Sequence, residues 1–235
     1  MSANALQLEA QARDGRTVLS RIRASGLSRS SRPFREGAAA RVVVSHLGPG
    51  MVRGDAFSVG GRVEAGAHLI VAGQMATRVL SGPQAVTTAA AWDVERGATL
   101  ELLAEPTIVC AGAALVARTE VTLSEDSRVL VLEIVRRERG AALRSTTTIR
   151  TGERLLLADT LQWDADDDED AAIGTLVALG FDLDFDALDR VADACAGVRT
   201  GIGTLRGGGI LTRIRGTSVW DTRAALLALR LRCIF

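Results

Sequence analysis

Few residues in this chain combine the type and spacing that chemistry demands. The three cysteines, Cys110, Cys195 and Cys233, are an odd number with no close spacing. That argues against a disulfide framework and, more strongly, against a structural zinc site. The only histidines are His46 and His68, so a transition-metal cage would have to draw ligands from distant segments. The loop Leu47-Gly48-Pro49-Gly50-Met51-Val52-Arg53-Gly54-Asp55 has the glycines of a phosphate cradle. Such cradles open a helix and usually carry a Lys. Here β-type sequence lies on both sides and the chain has no Lys, so the loop reads as a turn that brings two backbone layers close. The acidic run Asp164-Ala165-Asp166-Asp167-Asp168-Glu169-Asp170 lacks the turn glycine and closing Glu of a calcium loop and reads as a solvated loop. Glu133 closes an apolar run and is expected to pair with Arg136, Arg137 or Arg139. No acid–base pair or nucleophile constellation stands out, so no catalytic residue is expected.

The elements that would position these groups follow from a pattern stated three times, in residues 62–71, 93–103 and 122–132. Each copy has an apolar residue, an acidic turn with Gly66, Gly97 or Asp126 at its tip, and an apolar strand. The tips are about 30 residues apart. Gly, and less freely Asp, supplies the positive φ that a tight turn needs. Strands such as Leu69-Ile70-Val71 and Val129-Leu130-Val131-Leu132 are apolar on both faces and belong between two layers. Repeated strand–turn–strand units cannot bury their own faces, so the copies must stack. The expected fold is all-β dominated, either β-helix-like or a curled multi-strand sandwich, with two C-terminal helices at about 185–196 and 219–232. His68 stands where the other copies have Thr99 and Arg128, so it reads as an ordinary polar strand position. Residues 1–16 read as a frayed N-terminus and 17–235 as one domain. Ser25 to Arg35 reads as a solvated loop.

Composition excludes several classes. All 28 basic residues are Arg, balanced by 28 acidic ones, and a net charge of zero argues against a nucleic-acid binder. No apolar run reaches the ~18 residues of a membrane span, and the N-terminus has no secretory signal pattern, so a cytoplasmic location is expected. A β-helical carbohydrate-active enzyme would need aromatic platforms for sugar rings; aromatics are 3% and Tyr is absent.

The ordered series Gly48-Pro49-Gly50-Met51-Val52-Arg53-Gly54-Asp55, Gly66-Ala67, Gln74-Met75-Ala76-Thr77-Arg78-Val79, Leu103-Ala104-Glu105-Pro106-Thr107-Ile108, Ala111-Gly112-Ala113, Leu132-Glu133-Ile134 and Gly174-Thr175-Leu176 resembles the urease accessory protein UreD (UreH) family. The segment Arg139-Gly140-Ala141-Ala142 leaves the family's Gly-Glu-x-Phe element unmatched. The resemblance implies a non-enzymatic scaffold or chaperone that binds apo-urease and UreF. Through UreF it would recruit the GTPase UreG, so that nickel reaches the urease site by way of an internal channel. No cofactor is then expected to be tightly bound, and Ni²⁺ would be carried transiently. Carboxylates, carbonyls and water can relay such an ion. The candidates by chemistry are Asp55, Glu64, Glu101, Glu105 and Glu133. A UreD-like scaffold serving another assembly is the alternative.

Overall fold

The computed structural model describes residues 4–52, 54–166 and 171–234. Strands β1 (Asn4–Arg13) and β2 (Arg16–Ser25) form a hairpin, followed by the short β3 (Ser28–Ser30) and β4 (Phe34–Glu36) and by β5 (Ala39–His46). One coil then comprises β6 (Ala56–Val63), β7 (His68–Gly73) and β8 (Thr77–Val79). The next comprises β9 (Val86–Val94), β10 (Thr99–Leu103) and β11 (Thr107–Val109), and a further one β12 (Ala114–Leu123) and β13 (Arg128–Arg137). A hairpin of β14 (Ala142–Thr151) and β15 (Arg154–Trp163) follows, then β16 (Ala171–Leu179), α1 (Phe185–Ala194), the hairpin β17 (Val198–Thr204) and β18 (Ile210–Gly216), and α2 (Val219–Ile234). The result is a β-solenoid of about four turns with two helices. Its two walls are a sheet ordered β15-β14-β12-β9-β6-β1-β2 and a sheet ordered β17-β18-β16-β13-β10-β7-β5-β3. Within the coils the strands run parallel; antiparallel hairpins close both ends.

The three expected corners stack in one column. Gly66, Gly97 and Asp126 all lie at positive φ, 70°, 65° and 55°. The Gly66 amide donates to the Arg96 carbonyl at 3.1 Å, and the Gly97 amide to the Glu125 carbonyl at 3.2 Å. Each corner thus hydrogen-bonds to the next, which satisfies backbone groups that a lone turn would leave to water. The strands leaving these corners share a register: Thr99 lies opposite both His68 and Arg128.

Apolar side chains fill the solenoid in two places. One cluster, near the stacked corners, contains Leu8, Val63, Leu69, Trp92, Leu100, Val121, Val129 and Ile149. The other, at the opposite edge, contains Phe57, Val79, Val86, Val109, Leu115, Val135 and Leu143. A third cluster lies outside the second sheet, where Ile70, Leu130, Ile134 and Leu176 meet Leu188 of α1 and Leu226 and Leu229 of α2. Apolar residues on both faces of β7, β13 and β16 are therefore needed: one face packs inside, the other against helices. The approach of α2 is close, since a Cβ at Gly174 would meet Leu226 Cδ1 at 2.5 Å. Asp184 caps α1, its Oδ1 accepting from the Ala187 amide at 3.0 Å. Among the described residues no helix is long and apolar enough to cross a membrane.

Two expectations are corrected. The N-terminus is not frayed over its described part: β1 pairs in parallel with β6, and Leu6, Leu8 and Ala10 are fully buried. Each buried Leu contributes about 2 kcal/mol. Their alternation with Gln7, Glu9 and Gln11 is the period-two signal of a half-buried strand. The Ser25–Arg35 stretch is not only loop either, because β3 and β4 each pair antiparallel with β5. Of the acidic run, Ala165 and Asp166 form a turn; Asp167, Asp168, Glu169 and Asp170 lie outside the described residues.

Candidate functional site

Between the two interior clusters the solenoid is hollow. Facing sheets stand about 10 Å apart and need large side chains to fill the gap. At the middle positions the inward residues are small: Gly73, Ala90, Ala104, Ala117, Thr119 and Thr147. They leave a cavity of about 600 Å³ that runs along the stacking axis, from Val44, His46 and the Leu47–Met51 loop at one end to Glu133 and Thr147 at the other. The glycine-rich loop therefore forms the cavity mouth, where a Cβ at Gly50 would meet the Arg78 carbonyl oxygen at 2.7 Å. Leu47 and Met75 line the mouth and stay exposed, Met75 at 69%.

On the first sheet the inward row becomes more polar along the axis. In the first sheet the in-register row reads Val59, Ala90, Thr119, Thr147, Asp159. In the second sheet Glu133 lies opposite Thr175, and Thr175 opposite Arg213. The inward neighbours of Glu133 along β13, Val131 and Val135, belong to the two different apolar clusters. A polar belt is thus inserted between them.

Glu133 is the ionisable group at the inner end. Its Oε1 accepts a hydrogen bond from Ser145 Oγ across the gap between the sheets at 2.7 Å. Burial pushes its carboxyl above the ordinary range. The Ser145 hydrogen bond and the charge of Arg213 act against that shift, while Asp159 reinforces it. The expected pairing with Arg136, Arg137 or Arg139 does not supply its hydrogen bond, because Glu133 points inward; Arg137 instead donates to the carbonyls of Ala141 and Asp164. At the mouth, His46 packs edge-on against Phe57, with ring centroids 4.3 Å apart. Its Nδ1 is buried with no hydrogen-bond partner among the described residues, and burial lowers its pKa.

The other carboxylate candidates scatter. Glu105 reaches the cavity wall, but both its oxygens are held by Arg223 of α2, at 2.6 and 2.8 Å. Glu101 is buried on the outer face of the second sheet and accepts from His68 Nε2 and Arg230 Nε, each at 2.7 Å. Burial alone would raise its pKa; the His68 hydrogen bond and the Arg230 charge outweigh it and hold the carboxyl below its ordinary range. His68 is thus more than an ordinary polar strand position. Asp55 closes a small turn by accepting from the Val52 amide at 2.8 Å, and Glu64 is half-buried at the first corner. Among the described residues no three His, Cys, Asp or Glu side chains converge as a metal site. Sequence reasoning did not single out Ser145, Thr147, Asp159 or Arg213. The available signal was the polar interruption of otherwise apolar inward positions, Leu143-x-Ser145-x-Thr147-x-Ile149.

These features define a β-solenoid protein whose polar groups are gathered in an axial cavity and not in an open cleft. A family model described as UreD urease accessory protein matches residues 2–234, and the chain belongs to that family. It is 29% identical over 235 residues to the urease accessory protein UreD of Bacillus sp. (strain TB-90), covering 91% of this chain and 87% of the relative. It is also 29% identical over 233 residues to that of Sorangium cellulosum (strain So ce56), covering 87% and 72%. A shorter match, 39% identical over 102 residues, joins it to the UreD of Parafrankia sp. (strain EAN1pec), covering 41% of this chain and 34% of the relative. Membership supports a role in urease maturation and association with its machinery, and the family name implies a non-catalytic part in it.

Proposed function

We propose that this chain is a scaffold of urease maturation that holds apo-urease and UreF, with UreG joined through UreF, while Ni²⁺ passes through its axial cavity. The observation that carries this reading is the cavity itself, which runs along the coils, whose inward row on the first sheet passes from Val59 and Ala90 to Thr119 and Thr147, and which holds Glu133 at its inner end. A carboxylate in a confined, partly polar passage attracts a divalent cation, yet one carboxylate with hydroxyl and water neighbours does not retain it tightly. Nickel is cargo here and not a resident cofactor. The exposed Leu47 and Met75 at the mouth suit a rim on which a protein partner seats.

Co-expression tests the reading. The chain is produced alone, with UreF, and with UreF plus the urease subunits, and each lysate is fractionated. A chain that is insoluble alone and co-purifies with UreF and apo-urease is expected. A soluble monomer that ignores all of them, in cells whose urease activates equally without it, overturns the proposal.

A further inference from the structure

Beyond the inner end of the cavity an ion pair joins the two walls. Arg213 Nη2 donates to both oxygens of Asp159 at 2.8 Å, and Arg213 Nη1 donates to Thr175 Oγ1 at 2.6 Å. Asp159 belongs to β15 of the first sheet and Arg213 to β18 of the second. Both stand at belt level: Asp159 follows Thr147 in register, and Arg213 follows Glu133 and Thr175. The cavity is lined by Thr147 and Glu133 but by neither member of the pair. Their side chains nevertheless keep 18% and 29% exposure, so that exposure lies on the outer side. The pair thus stands between the cavity and solvent, one strand beyond Thr147 on the first sheet and two beyond Glu133 on the second.

We propose that the Asp159–Arg213 pair is the gate at the far end of the cavity, with Arg213 the resident cation that a divalent ion at Glu133 must displace in order to leave. This rests on the conduit reading above. A guanidinium stays charged at all relevant pH and cannot become neutral to let a second cation by. Asp159 holds that charge through Nη2, shared between both its oxygens, while Thr175 holds Nη1, which keeps the guanidinium from settling on Glu133. Two conditions follow. With Asp159 present, Glu133 is available to cargo. With Asp159 neutralised, Arg213 turns to the remaining carboxylate and competes for it. Movement of the β15–β14 hairpin away from β18, such as a partner pressing on that end would cause, separates the pair and opens the passage between the sheets.

The test is Ni²⁺ binding by equilibrium dialysis, using the full chain fused to a solubilising carrier and Ni²⁺ alone as the probe. Arg213→Met removes the competing charge and is expected to bind roughly tenfold more tightly than wild type. Asp159→Asn frees that charge toward Glu133 and is expected to bind roughly tenfold more weakly. A latch with only a structural role loses the same bond in both variants and shifts both in one direction; that result overturns the gate. Equal binding by wild type and Arg213→Met, including no detectable binding by either, also overturns it. If Arg213→Met fails to fold by circular dichroism, Asp159→Asn decides alone, and binding as tight as wild type refutes the gate. Glu133→Gln separates the two levels. Wild-type binding in Glu133→Gln sinks the conduit reading, whereas lost binding there with Arg213→Met unchanged sinks the gate only.

Discussion

Arg230 on α2 and Glu101 on β10 meet at 2.7 Å across the seam between the last helix and the solenoid wall, both almost shielded from solvent at 11% and 1% exposure. A second pair on the same two segments, Arg223 with Glu105, repeats the arrangement. Two arginines seven residues apart, about two helical turns, reach two carboxylates four residues apart near β10. Helix α2 is therefore fastened at two points along its length.

Cutting the buried fastening is costly, because it removes the arginine from a carboxylate that is 1% exposed and leaves it the His68 hydrogen bond. Arg230→Met is expected to lower stability by about 3 kcal/mol in urea unfolding, whereas Arg96→Ala, in an ion pair whose members are 73% and 68% exposed, leaves the midpoint where it was. The pH dependence has a definite sign. Glu101 has a depressed folded-state pKa, so its contribution is present above the unfolded value and is lost as pH falls through the folded one. The acid limb of the stability curve is expected to flatten in Glu101→Gln; an unchanged limb contradicts the assignment.

Glu133 titrates in the opposite sense. Its folded-state pKa is raised, so stability is full below the unfolded carboxyl value and declines as pH climbs through the folded one. Glu133→Gln keeps an acceptor for Ser145 and removes the buried charge. The variant is expected to exceed wild type in stability at pH 8, with the difference vanishing near pH 4. Thermal melts at the two pH values read this directly, and a variant less stable than wild type at pH 8 counts against it.

The corner column separates backbone strain from packing. A Cβ at Gly97 meets nothing within 4 Å, so a substitution there is opposed by its φ of 65° alone. Gly97→Ala is expected to cost about 1 kcal/mol. Asp126 already holds the equivalent place at φ 55°, and Asp126→Gly is expected to stay within about 0.5 kcal/mol of wild type. Chemical denaturation of both variants checks the contrast.

Cys233 lies against the outer core, and burial pushes its thiol up to about 11. At pH 8 it is almost wholly protonated and inert to alkylation, while the half-buried Cys195 is not so enclosed. Peptide mass spectrometry after iodoacetamide is expected to show Cys195 labelled at least about tenfold faster, with Cys233 reacting only in denaturant.

The corners and the helix ends were legible because each has a local cause: a residue that accepts positive φ, or an aspartate before an apolar-periodic run. Gly66, Gly97 and Asp126 stand where that logic puts them, and α1 starts at Phe185, where it was expected, with Asp184 as its cap. The inner face of β1 was equally visible in the alternation of Leu6, Leu8 and Ala10, but weighing the segment by its terminal position hid it. The cavity was not legible. Its cause is the coincidence of small residues from different coils, Gly73, Ala90, Ala104 and Ala117, at one level of the stack, and that level exists only once the register is known. For the same reason Glu133 looked like a strand-end partner for nearby arginines. Whether it points in or out depends on its alternation with Val131 and Val135, and its true neighbours, Ser145 and Arg213, come from β14 and β18.

The parallel coils have a consequence for how this architecture changes size. Adjacent strands sit about 4.8 Å apart, and each further coil repeats the same pair of walls. Inserting one whole copy of the segment between two corners would lengthen the hollow by that single increment while leaving both extremities chemically intact. An insertion of one residue within a strand would invert the facing of the rest of that strand and, on the first sheet, turn outward residues such as Arg118 and Glu120 into the lumen. Evolution of reach in such a molecule is therefore stepwise, counted in complete rungs.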